Sequence, residues 1–222
     1  MKKFTLFCLL VVITILASAQ HLVLSMPSLQ CGKTTEDGED EVYQLIVFKR
    51  NNGVTGSIRV PGIPNAWKNM NDRNRLISDL DWGELLSFDL APGESIDILG
   101  MIMEKDDGTL QAYSRFGPEL LRTSFFSDLK TNLRPSPRMI QITLDKIKNS
   151  FSYSNADDWI GAYTCHFEAG SKGVVKSFGL VNNPNNDQGH WGPEVKGNVV
   201  KYNFTGDGSF YGAKLLVTEF RR

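Results

Sequence analysis

Apolar residues fall along this chain mainly in short runs, alternating or apolar on both sides, divided by turn-forming residues, and this pattern predicts strands. His21–Leu29 and Val42–Arg50 are two such runs, separated by the polar, acidic stretch Thr34-Thr35-Glu36-Asp37-Gly38-Glu39-Asp40. Thr55–Pro61 gives a further short strand, after which Gly62–Arg75 is rich in Gly, Pro and Asn and carries Trp67 as an isolated aromatic. Leu85–Leu90 and Ser95–Glu104 flank Ala91-Pro92-Gly93-Glu94 and are expected to be neighbouring strands joined by a tight turn, with proline leading glycine. Within Ser95–Glu104, Ile96, Ile98, Gly100 and Ile102 share one face while Leu99, Met101 and Met103 take the other. A strand apolar on both faces belongs in the middle of its sheet.

The period changes after Lys105. Leu120, Leu121, Phe125 and Leu129 recur at helical spacing behind Pro118, predicting one amphipathic helix, and prolines close the segment near Leu133–Ser136. Met139–Phe151 supports two readings: Ile140, Ile142 and Leu144 alternate as in a strand, whereas Ile140, Leu144 and Ile147 suit a helix. Trp159–Glu168, Val174–Leu180, Val199–Phe204 and Phe210–Phe220 return to strand patterning, with Asn182–Gln188 a polar loop. Frequent turns, short strands and little helix predict an all-β fold. The expected architecture is an antiparallel β-sandwich over residues 20–222, one domain with a helical insertion at about 108–152.

The first residues change the picture of where the domain starts. Lys2 and Lys3, the apolar run Phe4–Leu16 and the small residues Ala17-Ser18-Ala19 form the three parts of a signal peptide, expected to be cleaved after Ala19 or Gln20. The run is shorter than the roughly 20 apolar residues that span a bilayer, and no later stretch matches it. A secreted or periplasmic chain without a transmembrane segment is the expectation. Loss of the two lysines takes the formal charge from −1 to −3 with acids and bases dispersed, so there is no basic footprint for nucleic acid. Cys8 lies in the leader, which leaves Cys31 and Cys165 as an even pair. In an oxidising compartment they are either a disulfide pinning the first strand to a late one or two buried thiols.

Acidic residues gather at predicted strand ends: Glu36, Asp37, Glu39, Asp40 and Glu41; then Glu104, Asp106 and Asp107; then Asp157 and Asp158. Hard cations such as Ca²⁺ take six to eight oxygens, mostly carboxylates and carbonyls, which loops at one end of a sandwich can supply. Acids in turns are also simply solvated. Gly38-Glu39-Asp40-Glu41-Val42-Tyr43, Pro64-Asn65-Ala66-Trp67-Lys68-Asn69, Ile98–Asp107 and Asp157-Asp158-Trp159-Ile160-Gly161 follow one another in an order that resembles the calcium- and phospholipid-binding β-sandwiches known as C-two domains. The resemblance implies a C-two-like sandwich and, as calcium ligands to test first, Asp40 or Glu41, Asp106, Asp107 and Asp158, with Asp37 in addition. The chain departs from the family in having Glu41-Val42-Tyr43 where Asp-Pro-Tyr is usual, and about fifty residues between Asp107 and Asp158.

Catalytic constellations are thin. Cys165 and His166 are adjacent in a predicted strand and so point to opposite faces, which prevents them from acting as nucleophile and base. No pair of acids is singled out for glycoside hydrolysis, and Trp67, Trp82, Trp159 and Trp191 serve a core as readily as a sugar. Asn203-Phe204-Thr205 is a glycosylation acceptor triplet in a eukaryotic secretory route. The chain is therefore expected to be a non-enzymatic binding module for a protein, lipid or glycan, with calcium as a structural or bridging ion. The alternatives are a metal-independent interaction protein of the same fold and, third, a secreted hydrolase.

Overall fold

The computed structural model describes residues 19–34, 39–60, 68–71, 78–105, 113–131, 137–151, 158–182, 192–206 and 209–221. Residues 1–18, most of the segment expected to be a signal peptide, lie outside these residues, as do Asp37, Asp106, Asp107, Trp67, Trp191 and His190. Twelve strands and three helices are described, and every strand pairing is antiparallel.

The strands divide between two sheets. In sheet I, β1 (Gln20–Lys33) lies between β12 (Ser209–Arg221) on one side and, end to end on the other, β6 (Gly83–Leu90) and β5 (Ser78–Leu80); β11 (Val199–Gly206) and β10 (Glu194–Lys196) continue beyond β12. In sheet II the order is β3 (Thr55–Val60), β2 (Glu39–Arg50), β7 (Ser95–Glu104), β8 (Asp158–Gly170) and β9 (Gly173–Asn182), with β4 (Lys68–Asn71) also on β2. Pro27 interrupts β1, as a residue without an N–H must in a central strand, and it falls where the register with β12 shifts and where β6 gives way to β5.

The sheets face each other across a core that includes Leu22, Leu24 and Leu29 of β1, Ile96, Ile98 and Ile102 of β7, Phe167 of β8, and Phe204, Leu215 and Val217 of the last pair. Each such side chain, fully buried, contributes about 1.5–3 kcal/mol through removal of apolar surface from water. Tyr163 of β8 lies across Gly100, its direct partner on β7, and its hydroxyl donates to Gln44 Oε1 at 3.2 Å on the next strand. Burial pushes the Tyr163 hydroxyl pKa well up, so it stays a neutral donor.

A second core lies on the far side of sheet II. Tyr43, Leu45, Val47, Leu99, Met101 and Met103 are covered there by three helices, α1 (Phe116–Leu121), α2 (Phe125–Thr131) and α3 (Pro137–Phe151). This layer explains why every residue of β7 is buried, and β7 occupies the middle of its sheet as its two apolar faces predict. The helical segment is inserted between β7 and β8, which pair directly with each other. Trp159 Nε1 donates to Gln141 Oε1 at 3.0 Å and ties α3 to β8.

Two expectations change, and one open reading closes. The segment read as one helix from Pro118 is two, because Thr123 turns the chain: its hydroxyl donates to Leu120 O at 2.6 Å and accepts from Phe125 N at 3.2 Å. Met139–Phe151 is helical, burying Ile140, Leu144 and Ile147 and leaving Ile142 exposed. The Ala91–Glu94 turn joins strands of opposite sheets and is an arch rather than a hairpin. Gly93 takes a φ of +82°, Glu94 N donates to Ala91 O, and Gly93 N donates to Ala169 O of β8 at 2.8 Å, which draws the connection toward sheet II.

Candidate functional site

Among the six acids singled out as calcium ligands, the side chains of Asp40 and Glu41 are described. Asp40 lies on the inner face of β2, in phase with Val42 and Ile46, and is fully buried. It accepts a hydrogen bond from the Tyr211 hydroxyl of sheet I, whose pKa burial and this carboxylate raise far above the usual phenol value. Glu41 faces the other way and pairs with Lys105 Nζ at 3.1 Å. Asp40 and Glu41 thus both have partners within the protein.

The register does bring the predicted strand ends together. Val42 lies opposite Glu104, Glu104 opposite Asp158, and Lys105 N donates to Glu41 O at 2.9 Å. The backbone positions of Glu41, Lys105 and Asp158 therefore meet at one end of sheet II despite the long insertion. Among the described residues, no three His, Cys, Asp or Glu side chains gather in a way that would hold a metal ion.

Cys31 and Cys165 are free thiols, both buried in the inter-sheet core from opposite sheets. The disulfide reading does not hold in this structure. Burial raises the Cys165 thiol pKa, outweighing its hydrogen bond with Tyr202, so the sulfur is held as an unreactive thiol. Trp82 and Trp159 are core residues, at 6% and 2% exposure, which removes them as sugar-stacking platforms. Asn203 is exposed on β11.

A cleft of about 220 Å³ with mixed chemistry lies on the helix side of sheet II. Antiparallel pairing sets Leu45 opposite Arg59 and Val47 opposite Ser57, so these four side chains share the face that α1 covers. Leu45, Val47, Tyr113 and Phe116 form a buried apolar floor, while Ser57 and Ser114 are exposed at the mouth. Arg59 lines the cleft with its guanidinium carbon 3.8 Å from the centroid of the Tyr43 ring, and Tyr43 in turn meets Tyr113 edge-on at 6.3 Å. The stacking fixes a permanent positive charge against an aromatic wall. In such a partly enclosed site, charge interactions are stronger than in water.

Sequence reasoning missed this cleft because its two walls, residues 45–59 and 113–117, are far apart in the chain. One signal was available: Arg59 and Ser57 share a face of a short strand whose other face carries Ile58 and Val60.

A second polar group lies on the same side of sheet II, beyond the helices. His166 Nδ1 is 2.7 Å from Asp97 Oδ1, its cross-strand partner, and His166 Nε2 is 3.8 Å from Glu168 Oε2. The hydrogen bond to Asp97 is the main cause of a raised His166 pKa, against partial burial that opposes it. Both ring nitrogens face carboxylates, an arrangement suited to a cross-strand charge pair.

Compared with protein-family models, curated proteins and solved structures, the chain matches none.

Proposed function

We propose that this chain is an exported β-sandwich binding module without enzymatic activity, which takes its partner in the cleft between β2, β3 and α1 and needs no bound metal to do so. The observation that carries this reading is the cleft itself, a recess with an apolar floor and one fixed cation. Binding sites combine these features, being concave, mostly apolar and supplied with a few oriented polar groups. Export is supported by the order of charged, apolar and small residues at Lys2–Ala19, directly before the first strand of the fold. The engagement of Asp40 by Tyr211 and of Glu41 by Lys105 favours a metal-independent module over a calcium-dependent one. Titration with indole, followed by methyl NMR, is expected to shift the Leu45 and Val47 signals, and Ser114→Phe at the mouth is expected to abolish the shift. Unmoved methyl signals at saturating indole would overturn the assignment of the cleft.

The convergence of Glu41, Lys105 and Asp158 at one end of sheet II favours a second reading, in which a C-two-like loop cluster binds calcium. Thermal unfolding with excess Ca²⁺ and with chelator separates the two, since an ion held only by the native state raises the midpoint by mass action. An unchanged midpoint supports the metal-independent module. A rise with Ca²⁺ that Asp158→Asn removes supports the second reading.

A further inference from the structure

We propose that the outer face of sheet I binds an acidic polysaccharide with carboxylates spaced along its chain, on a stripe of lysines that crosses four neighbouring strands; this surface is separate from the cleft and does not depend on it. Lys201 of β11 is directly opposite Lys214 of β12, and Lys214 is directly opposite Ser28 of β1. Val200, Tyr202, Ala213 and Leu215 alternate with these two lysines and are buried in the inter-sheet core, so the lysines stand on the side turned away from sheet II. Lys196 of β10 shares that side through its partner Val199, and Lys33 of β1 through its partner Phe210. All four lysines are exposed, and the described helices pack on the other sheet.

Like charges placed directly opposite each other destabilise a strand pair. Lys201 has Glu194 Oε2 at 3.5 Å, whereas Lys214 has no ion-pair or hydrogen-bond partner among the described residues. An anion held between the two ammoniums relieves their repulsion. A recess of about 90 Å³ lies there, lined by both lysines, Ser28, Asn203 and Gly212. Gly212 has no side chain to fill it, and a Cβ at that position would stand 3.7 Å from Asn203 Oδ1. Ser28 is buried with its hydroxyl closed off, so the groups that meet a ligand are the two ammoniums and the exposed Asn203 amide.

The rest of the face distinguishes a sugar chain from other polyanions. Phe210, the next residue before Gly212 on this side of β12, is 43% exposed, and an exposed ring offers its π face to the C–H groups of a sugar. A nucleic acid strand carries a charge about every 3.4 Å, a density that four spread lysines on a chain of net charge −1 do not match. An anionic bilayer would press on the whole face, including Glu84 and Asp89, which are exposed beside Ser25 and His21 toward its other end.

Calorimetric titration of the purified protein at low salt tests the proposal with polygalacturonate, with the same polymer methyl-esterified at its carboxylates, and with a single-stranded oligonucleotide. Polygalacturonate is expected to bind at least tenfold more tightly than either of the others. Lys201→Gln with Lys214→Gln is expected to weaken it at least tenfold, and Phe210→Ala severalfold. Glu194→Gln, which frees Lys201 of its acid, is expected to tighten binding, a gain that misfolding cannot produce. No binding of polygalacturonate, equal binding of the esterified polymer, or unchanged affinity in the double lysine variant would overturn the proposal. Tighter binding of the oligonucleotide, or retention on phosphatidylserine vesicles that polygalacturonate does not displace, would overturn the polysaccharide class.

Discussion

Replacing Gly100 with alanine places a methyl group where the Tyr163 ring now lies. A Cβ at this position would come within 2.5 Å of Tyr163 Cε1 and closer still to Cζ and the hydroxyl. The ring has no room to retreat, since Tyr163 is fully buried and packs beside Tyr202 with centroids 5.6 Å apart. Overpacking of this kind costs about 1–3 kcal/mol. Displacing the hydroxyl from Gln44, 3.2 Å away, removes a buried hydrogen bond worth about 1 kcal/mol. The smaller entropy of the unfolded alanine chain returns about 0.4–1 kcal/mol. The net loss is therefore roughly 2–3 kcal/mol, a large part of the ~5–15 kcal/mol that holds a domain folded. Urea unfolding measures it as a lower midpoint at unchanged slope. Tyr163→Leu clears the space over Gly100, so adding Gly100→Ala to that variant should cost little more, giving a coupling near 2 kcal/mol in the double-mutant cycle. A loss below about 0.5 kcal/mol for Gly100→Ala alone, or strict additivity in the cycle, would refute the packing argument.

Two further outcomes follow from the buried polar groups. Because the folded pKa of His166 is raised, its pairing contributes stability fully below the unfolded histidine value of about 6.5, and that contribution is lost as pH rises through the folded value. Urea midpoints should therefore fall from pH 5.5 to pH 8.5 by an amount that Asp97→Asn largely removes, with Glu168 left as the remaining carboxylate beside the ring; an identical fall in Asp97→Asn would sink the assignment. Cys31 and Cys165, both buried, should resist a thiol reagent in the native protein and react in denaturant without a reductant; finding them oxidised to each other in the purified protein would contradict the free-thiol state.

Much of this architecture was legible where local pattern and tertiary role agree. Ser95–Glu104, apolar on both faces, is central in sheet II because a sheet and a helical layer cover it, and nothing in its own residues conflicts with that. The helical reading of Met139–Phe151 was open because Ile142 satisfied a period of two; only the burial of Ile140, Leu144 and Ile147 in the second core decides between the patterns. Thr123 shows a finer limit, since its hydroxyl can either decorate a continuous helix or close one and begin the next. The Ala91–Glu94 turn was readable as a turn, but its destination was not: contacts with Ala169, far along the chain, carry the following strand into the other sheet. For the candidate site, the acids stood out in sequence while their partners did not. Asp40 is in phase with Val42 and Ile46, a sign that it faces the core, yet the Tyr211 that receives it is supplied from the opposite end of the chain. The cleft has no local motif at all, because neither Arg59 nor Tyr113 is unusual until β3 and the start of the helical layer are brought together.

The pairing of β1 with β12 sets Gln20 directly opposite Arg221 at the far end of the sheet I ladder. Pulling on those two ends would load one rung at a time, so the strands would peel apart as a zip does rather than slide past each other with many hydrogen bonds sharing the force. The β1–β12 seam is therefore mechanically weak when it is loaded from Gln20 and Arg221.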